Sequence, residues 1–272
     1  MGDHIRFDDV EVDYEVVGSG DQVVLAHALP FVGWYAPLTA ALTDYTVLHY
    51  RRTVPLDGRQ FGVDDDAVLC ARLLRHVGFD RPHLVGHSYG GLVALALARS
   101  EHVAVRSLAL LEPATSGLIE PERAMAGMGL LMELYRARGS AATAEQFLRV
   151  VLGDDARDLL DRFIPGAYDE AVTHAEHFFQ VELPAAARWS FGPEEARLVD
   201  QPILNVTGAA SAPRFTESAE IIASLFPNEA VRYVLLGSGH LLMAQEPEAM
   251  ARRLAEFWAQ ARLRQPAGPS RA

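Results

Sequence analysis

One stretch restricts the fold more than any other: Leu84-Val85-Gly86-His87-Ser88-Tyr89-Gly90-Gly91, which reads G-x-S-x-G between two apolar runs. Arg81-Pro82-His83-Leu84-Val85 before it reads as a short buried strand, and Gly91 to Ala98 after it as an Ala/Leu helix. A tight strand-to-helix turn at this place pushes the Ser88 oxygen out at the top of a sheet. It also aims the N–H of Tyr89 outward from a helix N-terminus. Gly86 and Gly90 are required where side chains would collide as the backbone doubles back. Five residues with three fixed recur by chance, so the weight lies in the strand before and the helix after. The alternative is a glycine-rich turn with an inert serine.

The rest of the chain supplies a sheet for that turn. His4 to Phe7 and Val10 to Val17 predict two strands, the second alternating Val10, Val12, Tyr14 and Val16 with acids, as in a half-exposed hairpin. Gln22 to Ala26 is a short apolar run and predicts a central strand, ending at His27-Ala28-Leu29-Pro30. Gly33 to Leu42 has helical spacing, Tyr45 to Tyr50 predicts a strand, and Arg51 to Val63 a loop. Asp64-Asp65-Asp66 places acids at the positive end of a helix that Gly78 stops. Val103 to Leu111 is the next strand. Strands alternating with helices at this spacing imply a parallel sheet covered on both faces.

The alternation stops after Pro113. From about Gly117 to Arg197 only helical patterns occur: Met125, Met128, Leu131, Met132 and Tyr135 on one face, then Phe147, Leu148 and Val151, then Ala171 to Leu183 with Phe178 and Phe179. These apolar residues either line a pocket or pack the segment onto the core. Strands resume at Pro202 to Thr207 and Val231 to Leu236, with helices at Phe215 to Phe226 and Pro247 to Leu263. The expected division is a core of residues 1–116 and 198–264, a helical cap of 117–197, and a disordered Pro/Gly/Ser-rich tail of 265–272.

Bulk properties exclude several classes. With 272 residues, half of them hydrophobic, the chain has enough material for a sizeable core. Its net charge of −12 argues against nucleic acid and anionic membranes as partners. The lone Cys70 excludes an internal disulfide framework, fits a reducing compartment, and falls in a helical core pattern. Met1 to Arg6 is charged and lacks an apolar stretch, so no signal peptide is expected, and no run approaches a membrane span. The expected setting is cytoplasmic, as a monomer or homodimer, with no cofactor and no metal.

Ser88 needs a base, a carboxylate and oxyanion donors, and parallel sheets present such groups at the carboxyl ends of their strands. Of ten histidines, His240 stands directly after the last predicted strand, in Gly237-Ser238-Gly239-His240. His27 and His87 also end strands and are expected to shape the site. His174 and His177 have an i, i+3 spacing compatible with a metal, but no third ligand is near in sequence. The loop after Pro202 to Thr207, where an acid would normally orient the histidine, reads Gly208-Ala209-Ala210-Ser211-Ala212-Pro213 and holds no carboxylate. Glu112 instead ends the strand after the nucleophile helix. A carboxylate at the tip of a buried strand is costly unless paired, and His240 is the expected partner. The alternative is a Glu that caps the next turn or pairs with a surface Arg. The oxyanion donors are expected to be the N–H groups of Tyr89 and Leu29, with Ala28 in reserve.

These residues resemble the α/β-hydrolase superfamily over nearly the whole chain. The matching points are His27-Ala28-Leu29-Pro30 (similar to an H-G-x-P oxyanion loop, with Ala28 for Gly), Gly86-His87-Ser88-Tyr89-Gly90, the helical insertion and Gly239-His240. Glu112 follows Ser88 by 24 residues, which resembles the subset whose acid follows the sixth strand, including haloalkane dehalogenases and zearalenone-type lactonases. The dehalogenases use an Asp nucleophile, so Ser88 excludes that chemistry. The lactonases use Ser-Glu-His, and their corresponding loop resembles Val206 to Ser211. Arg51-Arg52-Thr53-Val54-Pro55 departs from the Gly-rich loop common in the family. The resemblance implies a mostly parallel eight-stranded sheet with helices on both faces and a helical cap over an apolar pocket.

The expected activity is cofactor-free hydrolysis of an ester or lactone of a hydrophobic small molecule, through an acyl-enzyme on Ser88. Three other readings stay open. One is carbon–carbon bond cleavage or perhydrolysis by the same groups. Another is a ligand-binding protein on a retained hydrolase fold. The last is a non-hydrolytic biosynthetic enzyme.

Overall fold

The computed structural model describes residues 2–264, apart from 59, 101, 116–117, 119–120 and 228–229. The expected tail of 265–272 lies outside the described residues. Eight strands form one sheet in the order β1-β2-β4-β3-β5-β6-β7-β8. They are β1 (Asp3–Phe7), β2 (Val10–Gly18), β3 (Asp21–Ala26), β4 (Tyr45–Thr53), β5 (His83–His87), β6 (Ser107–Leu111), β7 (Ile203–Gly208) and β8 (Ala230–Leu235). Only the β1–β2 and β2–β4 pairings are antiparallel. From β4 to β8 every neighbour pair is parallel.

Burial follows the sequence patterns. Every residue of β5, β6 and β7 is buried, as continuous apolar strands covered on both faces must be. The alternating β2 buries Val10 and Val12 and leaves its acids partly exposed. Helix α1 (Ala36–Ala41), α2 (Val63–His76) and α3 (Tyr89–Ala98) follow β3, β4 and β5, and helices Pro213–Leu225 and Pro247–Arg264 complete the layers. All ten residues of α3 are buried, which is why its sequence shows no amphipathic stripe.

The insertion between β6 and β7 is helical among its described residues, from Pro121 to Ala196. Two local corrections have clear causes. The first long helix, Pro121–Leu152, breaks at Gly139, whose φ of +80° and ψ of 174° no helical residue adopts. The run Ala171 to Leu183, expected as one helix, is instead split. It passes through Ala167–Thr173 and Ala175–His177 into a π-helical turn, Phe178–Glu182, before Leu183–Arg188. Pro184 cannot donate to the carbonyl four residues back, and the N–H of Leu183 reaches five back to Phe178. Met125 is exposed, whereas Phe178 and Phe179 are buried. The expected helix from Gly33 begins earlier, as a 3-10 segment over Leu29–Tyr35 that leads into α1.

Candidate active site

The turn from β5 into α3 holds Ser88 at φ +50° and ψ −117°, a conformation that costs a non-glycine residue energy. Neighbouring backbone enforces it. The Ser88 N–H donates to Leu111 O at 3.1 Å, and Ser88 O accepts from the Gly91 and Ala114 N–H groups at 3.0 Å each. A Cβ on Gly86 would lie 2.4 Å from Gly90 O, and one on Gly90 1.9 Å from Ala26 O, so both positions need glycine. Ser88 is half-buried while its flanking residues are buried. Tyr89 is the first residue of α3, so its N–H has no partner one turn earlier within the helix.

Glu112, directly after β6, is also held at positive φ, +45°. Among the described residues only Asp8, Ser88 and Glu112 do this without being glycine. The Glu112 N–H donates to Val206 O at 3.0 Å, tying it to the tip of β7. Its carboxylate is fully enclosed and satisfied on both sides. Oε1 accepts the Gly208 N–H at 2.8 Å, and Oε2 accepts from His240 Nδ1 at 2.6 Å. His240 is buried, and Phe215 stacks on its ring at 4.0 Å between centroids and 15° between planes. His240 O accepts from His87 Nε2 at 3.0 Å. Burial, and next the charge of His240, hold the His87 pKa well below its usual value, so His87 is a neutral donor. With Nδ1 engaged by Glu112, the other ring nitrogen of His240 remains for proton exchange. Ser211, in the place where an acid is usual, is partly exposed beside the Gly208 turn, and its enclosed hydroxyl finds no protein partner.

Leu29 stands after β3 as expected, but its N–H is taken. Both oxygens of the Glu182 carboxylate accept from it, at 2.8 and 3.0 Å. Glu182 belongs to the π turn of the insertion and is completely buried. Its Oε1 also accepts from Arg52 Nη2 at 2.5 Å. Arg52 in turn forks onto Asp66 through Nε and, at 2.8 Å, through Nη2, and Asp66 Oδ2 accepts the Tyr89 hydroxyl at 2.7 Å. Burial pushes the Glu182 pKa up to about 7 against the opposing pull of Arg52. A buried ionic chain thus runs from the Leu29 N–H to the Tyr89 side chain.

Sequence reasoning missed this chain. Asp66 looked like one of three acids at a helix start. In fact Asp65 accepts the Gly62 N–H at 2.8 Å, Asp64 pairs with Arg99, and Asp66 turns inward. Arg52 showed itself only as a departure from a Gly-rich loop, and β4 continues through it to Thr53. Beside Glu182, Phe178 and Phe179 line a closed apolar cleft with Phe31, Phe147 and Leu148, whose cavity of about 10 Å³ has room for little more than one water. His177 is not set up as a metal ligand: its Nε2 accepts the Val54 N–H at 3.2 Å. Among the described residues no cluster of three metal-ligating side chains occurs. Cys70 is buried, its thiol pushed up to about 12 by burial, which leaves it unreactive.

Residues 23–253, from β3 into the last helix, match the model of the alpha/beta hydrolase family. The chain belongs to the alpha/beta hydrolase family. A curated relative, 2-hydroxy-6-oxo-6-phenylhexa-2,4-dienoate hydrolase of Burkholderia cepacia, is 26% identical over 194 residues. That match takes in 65% of this chain and 66% of the relative, just under two thirds of its length. Among solved structures, a thermophilic esterase from Thermogutta terrifontis superposes with a TM-score of 0.79 at 20% identity, covering 93% of this chain and 94% of the esterase. An enol-lactonase from Burkholderia xenovorans superposes at 0.78 and 18% identity, covering 94% and 100%. At such identities the superpositions establish the fold. Within this alpha/beta hydrolase, Ser88, Glu112 and His240 follow β5, β6 and β8 and Leu29 follows β3, all at the carboxyl edge of the parallel strands. Among the described residues no helix is long and apolar enough to cross a membrane.

Proposed function

We propose that this chain is a serine hydrolase that opens an ester or lactone of a hydrophobic small molecule. The observation that carries the reading is the buried Glu112–His240 pair, 2.6 Å apart, at the same sheet edge as a serine held in a strained turn. His240 takes the Ser88 proton as the oxygen attacks the carbonyl. Glu112 fixes the tautomer and stabilises the imidazolium. The N–H groups of Leu29 and Tyr89 receive the oxyanion, His240 protonates the leaving alkoxide, and water then cleaves the acyl-enzyme. The helical insertion serves as a cap, and the aromatic cluster of Phe31, Phe147, Phe178 and Phe179, nearly closed in this structure, parts to take the apolar part of the substrate. The finer likeness to zearalenone-type lactonases rests on the Ser-Glu-His set and the Ser211 loop.

A second reading, cleavage of a carbon–carbon bond next to a ketone by the same groups, is favoured by the curated relative's name. One experiment separates the outcomes. Wild type and Ser88→Ala are treated with an alkyl fluorophosphonate and then assayed on aryl esters, medium-ring lactones and a vinylogous diketone. Labelling of wild type alone, with ester or lactone turnover, supports the proposal. Turnover of the diketone alone transfers it to the second reading. A folded wild type that neither labels nor turns over any of them sinks both.

A further inference from the structure

Glu182 is placed where a hydrolase needs an empty space. If the Leu29 N–H is an oxyanion donor (the inference rests on that part of the proposed function), a carboxylate already fills its acceptor position from 2.8 Å. A substrate oxyanion and this carboxylate cannot share one N–H, and two negative charges so close in a dry site repel strongly. The reaction therefore requires Glu182 to leave.

Three features suit it to leaving. First, its departure leaves the neighbouring charges paired, at the cost of one Arg52 Nη2 hydrogen bond. Arg52 keeps its two-point contact with Asp66, Asp66 keeps the Tyr89 hydroxyl, and the Leu29 N–H passes to the substrate. Second, Arg52 faces two carboxylates, so the cluster carries surplus negative charge when both are ionised, and burial already disfavours the ionised form of Glu182. Third, Glu182 ends the π turn Phe178–Glu182. A π turn holds an extra residue per hydrogen-bonded ring, so relaxing it to α geometry re-aims the side chains it carries. Phe178 and Phe179 of that same turn line the apolar cavity, against Phe31 of the Leu29–Tyr35 segment. Whatever fills the cavity presses on the element that holds Glu182.

We propose that Glu182 is an internal plug of the oxyanion hole, expelled when an apolar substrate group wedges open the nearly closed cleft lined by Phe178 and Phe179. The plug makes turnover selective for substrates large and apolar enough to move the π turn. Small esters reach Ser88 but meet an occupied donor.

The test compares ethyl acetate with 2-naphthyl hexanoate in wild type, Glu182→Ala and Glu182→Gln, with thermal melts to establish folding. A hydrogen bond to a charged group corresponds to about tenfold to a hundredfold in an equilibrium. In Glu182→Ala, kcat/KM for ethyl acetate is expected to rise by about tenfold or more, with 2-naphthyl hexanoate within about threefold of wild type. Glu182→Gln, which keeps the shape without the charge, is expected to fall between. A parallel loss on both esters in folded variants overturns the plug and makes Glu182 a structural anchor. The amide signal of Leu29 in 15N-labelled protein supplies a readout independent of turnover. In wild type, 1-naphthol is expected to move it toward its position in Glu182→Ala. A Leu29 signal that 1-naphthol leaves in place overturns the inference, whether or not the protein hydrolyses esters. If the signal moves while neither ester is consumed, the plug stands and the hydrolase reading fails.

Discussion

Glu112 Oε2 and His240 Nδ1 meet at 2.6 Å across 128 residues of sequence, and the second Glu112 oxygen is held by the Gly208 N–H at 2.8 Å. The carboxylate therefore has no freedom to rotate away from the imidazole. Replacing it by an amide keeps the shape but removes the charge and offers an N–H₂ where an acceptor is needed. Glu112→Gln is expected to lower kcat by about three to four orders of magnitude while leaving the fold intact. Steady-state kinetics on the best ester or lactone checks this. A loss below about tenfold would remove Glu112 from the mechanism.

The elbow makes a stability prediction that is independent of substrate. A methyl group on Gly90 would sit 1.9 Å from the carbonyl oxygen of Ala26, which is strand backbone and cannot yield cheaply. Gly90→Ala is expected to destabilise the protein by about 3 kcal/mol or more, or to abolish soluble expression. Gly127, on an exposed helical face with nothing within 4 Å of a built Cβ, is the control. Gly127→Ala is expected to stabilise by about 0.5–1 kcal/mol. Urea unfolding of both variants gives the comparison, and similar midpoints would refute the elbow argument.

Acid should weaken the fold well above the carboxylate range. Burial lowers His27, His83 and His177 to about 3 from an ordinary value near 6.5. Above 6.5 these rings are neutral whether folded or not, and their contribution is complete. As pH falls from 6.5 toward 3, the unfolded chain takes up protons that the folded chain refuses. Each ring then costs about 1.4 kcal/mol per pH unit. Glu182, raised to about 7 chiefly by burial, acts in the opposite sense: its contribution is complete below about 4.5 and is lost as pH rises through 7. With these three histidines, and His87 shifted the same way, against one glutamate, the urea midpoint should fall steeply between pH 6.5 and 4.5. A flat or rising midpoint over that interval would contradict the buried neutral state of these rings.

The strand rhythm, the elbow and the placement of Glu112 and His240 were all legible in the sequence because each is a local pattern. Gly86 and Gly90 answer to a turn a few residues long, and a carboxylate or imidazole directly after an apolar run marks a strand tip. Even the break in the first insertion helix left a sign in Gly139, and the π turn left one in Pro184. The Arg52–Asp66–Glu182 chain left no sign of its pairing, and Arg52 alone stood out, as a departure from a Gly-rich loop. Its members sit on β4, α2 and the insertion, with Arg52 and Glu182 130 residues apart. In sequence each is an ordinary charge with a surface-like setting. What the amino-acid order determined by itself was the periodicity and turn chemistry that set the sheet and put Ser88, Glu112 and His240 at its carboxyl edge. Only the tertiary structure decided that a glutamate from the insertion would occupy the Leu29 N–H. Pairing buried charges depends on which faces meet, and no local pattern records that.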